Sequence, residues 1–278
     1  MLGQRIVTAV VLLALLLPAL FASRPEPFAM LTLLLLVAGG WEWGRLNGAG
    51  AAQSVALAVA LAGAAALTWA AGWALSAPLV LWWPLAAAWV IGLTLALRLG
   101  PSSWPLLGRG PRWVIGLVVL WAAWLAVVNA RARGVPFILS VLCIVWVADI
   151  AAYFGGRLLG RRKLAPAISP GKTWEGAWTG AGGVLLLALA WSMAERAGGW
   201  SGAGIFTTLW DRLGPFGTVL ALSGLTALSV CGDLFESLVK RAAGVKDSSR
   251  LLPGHGGVLD RVDALLPVLP AAMAIALA

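Results

Sequence analysis

Asp233, Ser237 and Lys240 stand at i, i+4 and i+7, a spacing that puts a carboxylate, a hydroxyl and an ammonium on one helical face. Asp260 and Asp263, at i and i+3, share a second face. Between the two runs lies Pro253-Gly254-His255-Gly256-Gly257, whose three glycines tolerate positive φ and allow a sharp return. Two carboxylate faces joined by such a return suit a magnesium site, because that ion takes oxygen ligands and completes its shell with waters and substrate phosphates.

A second segment, 155–176, reads GGRLLGRRKLAPAISPGKTWEG. Its Gly171-Lys172-Thr173 looks like the end of a phosphate loop, but the first glycine of that motif would fall on Pro166, and the segment follows an apolar helix instead of a strand. A Walker loop is therefore rejected. Ser169 to Thr173 is expected to form a tight, donor-rich turn entering a helix, with Glu175 in its first turn. Exposed amides at such a start suit a phosphate, and an ordinary capped helix with membrane-surface lysines fits the same residues. Upstream, Asp149 interrupts the apolar run 138–154, where a carboxylate costs about 2.5–3.5 kcal/mol near mid-membrane. It needs an ion, Arg157 or a water-filled cavity. All four lysines, Lys163, Lys172, Lys240 and Lys246, fall in 155–176 or 236–263, where a compact ammonium serves as a point charge on phosphate. Net charges of +4 and +1 on these segments, with a magnesium ion added, match a polyphosphate.

The elements that must position these groups are membrane helices. Of 278 residues 61% are apolar and 11% charged, and the mean hydropathy is +0.92. Soluble domains carry about 25% charged residues, so a cytosolic enzyme, a disordered chain and a disulfide scaffold are excluded. Two cysteines and one histidine cannot assemble a zinc set. The net charge of +9 comes without any nucleic-acid recognition module, and no nucleic acid is expected as a partner. At roughly 20 apolar residues per crossing, the chain divides into nine expected spans, near 6–23, 27–44, 52–73, 78–98, 113–130, 135–155, 174–194, 215–238 and 259–277. The first also has a signal-peptide pattern ending in Ala22-Ser23, and it is read as a span because the other eight would still need an orienting segment.

With the N-terminus in the cytoplasm, fifteen of the twenty basic residues lie on the cytoplasmic side, which places both polar segments there. Tryptophans such as Trp41, Trp43, Trp104, Trp113, Trp174 and Trp210 sit near span ends as interfacial anchors. The expected class is thus an all-α, polytopic integral membrane protein. Residues 1–134, with only Glu26 and Glu42 as acids, read as a scaffold of about five helices. Residues 135–278, with nine acids, read as the catalytic part.

The last segment resembles the signature of the phosphatidate cytidylyltransferases, or CDP-diacylglycerol synthases. That pattern is S-x-x-K-R, four residues, K-D, then P-x-H-G-G-x-x-D-R-x-D. Here it is filled by Ser237, Lys240, Arg241, Lys246, Asp247, Pro253, His255, Gly256, Gly257, Asp260, Arg261 and Asp263. The family's S-P-x-K-T-W-E-G stretch, after a helix with an intramembrane Asp, resembles residues 169–176 and Asp149.

The resemblance implies transfer of a cytidylyl group from CTP to phosphatidate at the cytoplasmic face of the inner membrane. It further implies a homodimer, and magnesium with potassium as a second ion between Asp233 and Asp260. On that basis Asp233 and Asp260 are expected to hold metal, with Asp263 a third ligand or an organiser of Arg261. Lys172, Lys240 and Arg241 would neutralise phosphates, and Ser169 and Ser237 would donate to phosphate or support a ligand. Thr173, Glu175, Lys246 and Arg261 complete the expected substrate-binding set. His255 either contacts the CTP phosphates or stabilises the glycine turn. The rival readings are another lipid phosphotransferase and an ion-coupled transporter using Asp149 and Asp233. The CDP-alcohol phosphotransferase pattern is missing, and nine of the eleven acids and all the motifs lie in one half, where a transporter's repeats would have them in both.

Overall fold

The computed structural model describes residues 2–198 and 202–277. Helices dominate: α1 (Leu2–Phe21), α2 (Glu26–Leu46), α3 (Ala51–Ala70), α4 (Trp82–Leu99), α5 (Arg109–Ala132), α6 (Val135–Leu159), α7 (Trp174–Arg196), α8 (Ile205–Ala242), α9 (Leu259–Val262) and α10 (Leu265–Leu277). Among the described residues seven helices are long and apolar enough to cross a membrane, and the chain is an all-α membrane protein. Outward faces carry exposed Leu34, Leu67, Val80, Leu186 and Leu189, as lipid-facing helices should.

The first and last expected spans differ from the other seven. The apolar part of α1 covers only Ile6–Phe21. The run 259–277 is not one helix, because it breaks after Val262 and resumes at Leu265. Pro267 is the cause: its missing N–H and its ring are incompatible with a continuous turn at the carbonyl of residue i−4, which is Asp263. Asp263 Oδ1 instead accepts the N–H of Ala264 at 2.8 Å. Beyond the break α10 is apolar all round and buried from Leu266 to Ala274, against α4, α5, α6 and α8.

A kink at Gly214 (φ 67°) and Pro215 divides α8, and the eighth expected span begins there. The segment expected as a turn at residues 169–173 is instead a strand. Lys163–Ala165 (β1) and Ser169–Thr173 (β2) form an antiparallel hairpin, with Lys163 opposite Thr173 and Ala165 opposite Ser169. The turn lies one step earlier, and β2 runs straight into α7, where Thr173 Oγ1 accepts the N–H of Gly176 at 3.1 Å.

Residues 1–134 and 135–278 share one apolar core. Phe235 of α8 packs among Trp43, Trp89 and Trp104, with ring centroids 5.4–6.1 Å away.

Candidate active site

The C-terminal half of α8 supplies the expected face. Ser237 Oγ donates to Asp233 Oδ1 at 3.2 Å, as the i, i+4 spacing requires. Lys172, projecting from β2, pairs with Asp233 Oδ2 at 2.7 Å and also reaches the carbonyl of Val230 at 3.3 Å. Lys172 and Asp233 open on a cavity of about 580 Å³ lined also by Asp149, Tyr153, Arg157, Ser169 and Thr173. Asp149, an exposed residue of α6, lies on the wall of this cavity. Of the expected substrate-binding residues, Ser169, Lys172 and Thr173 lie on its wall with Asp233, and Ser237, Lys240 and Arg241 lie outside its lining.

One further turn along α8 lies a second cluster. Lys240 Nζ is held between Glu236 and Asp260 Oδ1, the latter at 2.5 Å. Asp260 Oδ2 also accepts Ser248 N at 2.9 Å, Ser248 Oγ at 2.9 Å and Gly257 N at 2.8 Å. Burial alone would raise the Asp260 carboxyl, but Lys240 and the amides of Gly257 and Ser248 outweigh it and hold the group at about 2. The neighbouring Asp263 goes the other way: burial first, then repulsion from Asp233, pushes it up to about 7. The two acids lie on neighbouring backbone: a Cβ on Gly232, next to Asp233, would stand 2.7 Å from the Asp263 carbonyl.

Gly254 and Gly256 adopt φ of 76° and 81°, so the glycine return forms as the sequence requires. Gly256 also leaves room that a side chain could not: a Cβ there would lie 2.7 Å from Asp260 Oδ2. Arg261 Nε donates to the carbonyl of His255 at 3.1 Å and fastens this turn.

Asp233 and Asp260, expected to hold metal, and Asp263, expected as a third ligand or an organiser of Arg261, lie on α8, on α9 and at the break after α9. Among the described residues no group of three His, Cys, Asp or Glu side chains could hold a metal ion. Asp260 is the most heavily engaged of the three acids among the described residues, with four donors against two on Asp233 and one on Asp263. Asp233 and Asp263 are the less engaged carboxylates, and magnesium needs only one or two of these besides water and phosphate.

Glu175, also in the expected substrate-binding set, sits at the foot of the hairpin. Its carboxylate accepts the amides of Arg161 at 3.0 Å and Arg162 at 3.1 Å and pairs with the Arg162 guanidinium, which closes the mouth of the hairpin. Arg241 reaches the hairpin turn at the Ile168 carbonyl, 3.4 Å away. Lys246 lines a separate cavity of about 610 Å³ with Trp41, Arg45 and residues 247–251.

Glu42, Glu236 and Ser248 join the site without having been singled out by the sequence. Glu42 is the more instructive omission. It is a lone acid in an apolar run between Trp41 and Trp43, the same signal that drew attention to Asp149.

Fold and site define a membrane-embedded protein in which lysines and carboxylates converge at one end of a long helix. The chain belongs to the cytidylyltransferase family, which it matches over residues 3–278. It is similar to the phosphatidate cytidylyltransferase of Pseudomonas aeruginosa, at 38% identity over 279 residues, 97% of this chain and 95% of that one. The phosphatidate cytidylyltransferase of Haemophilus influenzae is 33% identical over 297 residues, 97% of this chain and 96% of its own. That of Brucella suis is 50% identical over 137 residues, 48% of this chain and 44% of its own.

Proposed function

We propose that the chain transfers the cytidylyl group of CTP to phosphatidate, forming CDP-diacylglycerol and pyrophosphate, at the C-terminal end of α8. The observation that carries this reading is the pairing of Lys172 with Asp233 on a cavity wall beside the Lys240–Asp260 cluster. It supplies two ammonium groups for a phosphate-rich ligand, each fixed by a carboxylate. A phosphatidate phosphate oxygen is already a nucleophile. It attacks the α-phosphorus of CTP, the bond to the bridging oxygen breaks, and pyrophosphate leaves with that electron pair. No general base is needed, so the side chains act by alignment and charge neutralisation. Asp233 and Asp263 would hold magnesium, which supplies charge neutralisation at the triphosphate. Lys172, Ser169 and Ser237 bind phosphate oxygens, and Lys240 moves its charge onto the leaving phosphates.

The same reading has nine crossings, with α1 and α10 as the short ones, in a homodimer of the inner membrane. The N-terminus and both polar segments then face the cytoplasm, and residues 1–134 support the site from behind. The test is CTP, phosphatidate and magnesium with purified protein in detergent. Equimolar pyrophosphate and CDP-diacylglycerol are expected, and cation uptake into liposomes without product would sink the proposal. Lys240→Ala is expected to lose about a hundredfold or more in kcat, the scale of removing one electrostatic contact to a transition state. The exposed Arg109→Ala serves as the control and is expected to keep the parent rate.

A further inference from the structure

Glu42 of α2 is fully buried, with 0% of its surface exposed, in the part of the chain that otherwise carries no signature. A carboxylate in that position is retained only if its oxygens are filled. Among the described residues no Lys or Arg pairs with it. Its partners all come from the loop that precedes α9 and from the first residue of that helix. Oε1 accepts Val258 N at 2.9 Å and Ser249 Oγ at 2.5 Å, and Oε2 accepts Leu259 N at 2.8 Å and Ser248 Oγ at 3.2 Å. Ser248 Oγ also lies 2.9 Å from Asp260 Oδ2, so one hydroxyl sits between the two carboxylates. Gly257 completes the fit, since a Cβ there would run into both the Glu42 carboxyl and Ser248 Oγ.

We infer that Glu42 is a positioning residue for the transfer reaction: it pins residues 248–259 to α2 and thereby fixes Asp260, and through it Lys240, in place. The inference rests on the proposed role of Lys240 and Asp260. Each Glu42 oxygen takes one backbone N–H, and these donors cannot be turned round as hydroxyls can. A glutamine in this position would aim its NH₂ at either Val258 N–H or Leu259 N–H, whichever way it is rotated. An aspartate keeps both acceptors and the charge but falls one methylene short.

The experiment compares the parent with Glu42→Gln and Glu42→Asp in detergent, reading steady-state kinetics and amide exchange. Glu42→Gln is expected to lose about a hundredfold in kcat, the scale of a 1 Å misplacement, with either KM moving less than about threefold. Exchange across 248–259 should quicken at least tenfold while α7 is unchanged, and Glu42→Asp should recover roughly tenfold of the lost rate. Parental kcat in Glu42→Gln, or exchange rising equally in α7, would overturn the inference, the latter because it marks a general packing role. If Glu42→Gln does not accumulate as folded protein, Ser249→Ala removes a single bond to the carboxylate. A rate loss of several-fold with faster exchange in 248–259 then supports the anchor, and parental values of both overturn it. Lys240→Ala at the parent rate would refute the site reading separately, whereas the exchange measurement reads the anchor without reference to chemistry.

Discussion

Asp260 concentrates four donors on one carboxylate whose side chain is only 6% exposed, and its acidity follows from that. It is held at about 2 against an ordinary value of 3.8. A carboxyl depressed on folding stabilises the protein above its ordinary value, and that contribution is lost as pH falls from about 4 to about 2. A shift of this size is worth on the order of 2 kcal/mol. Thermal unfolding in detergent between pH 7 and pH 2.5 should therefore show Asp260→Asn less stable than the parent at pH 7, with a flatter decline below pH 4. Equal acid sensitivity in both proteins would count against the assignment. At this scale the spacing of Asp233, Ser237 and Lys240 was legible, because helical periodicity alone decides which side chains share a face. The engagement of Asp260 by Ser248 and Gly257 was not, since it depends on how a glycine-rich loop folds back.

At the scale of elements, the break between α9 and α10 sets where Asp263 lies, and it is made by two residues from different helices. Pro267 frees the Asp263 carbonyl, and Gly232 of α8 lets that carbonyl approach. A Cβ on Gly232 would stand 2.7 Å from Asp263 O and 2.8 Å from Pro267 Cγ. Gly232→Ala must push α8 and α10 apart, at a cost of about 1–3 kcal/mol for overpacking. It should lower the melting temperature and reduce kcat together, because Asp233 sits on α8 and Asp263 at the break that leads into α10. Melting and rate unchanged from the parent would mean the helices give way freely. Seven of the spans could be read from apolar length. The β1–β2 hairpin could not, since Ser-Pro-Gly-Lys-Thr has turn composition and becomes a strand only through pairing with residues 163–165.

For the molecule as a whole, the polar segments belong on one side if the basic residues orient the chain. The packing supports this: Glu42, near the C-terminal end of α2, touches the loop that follows α8. Trp104, in the connection after α4, donates to Asn47 at 2.8 Å, so that connection lies beside the end of α2 too. These contacts were beyond sequence reading because they join residues as far apart as Glu42 and Leu259, whereas the charge asymmetry that they agree with needed only counting. The orientation is testable with single cysteines placed on a Cys143→Ser, Cys231→Ser background. Arg109 and Arg196 are both exposed and begin and end helices on opposite sides of the proposed topology. A membrane-impermeant maleimide should label Arg109→Cys in inside-out vesicles and Arg196→Cys in right-side-out ones. The reverse pattern would put both lysine-bearing segments on the far side, away from cytoplasmic CTP, and the charge rule would then have failed for this chain. Labelling of both positions from one side would instead break the alternation of crossings between α5 and α7, and with it the nine-crossing layout.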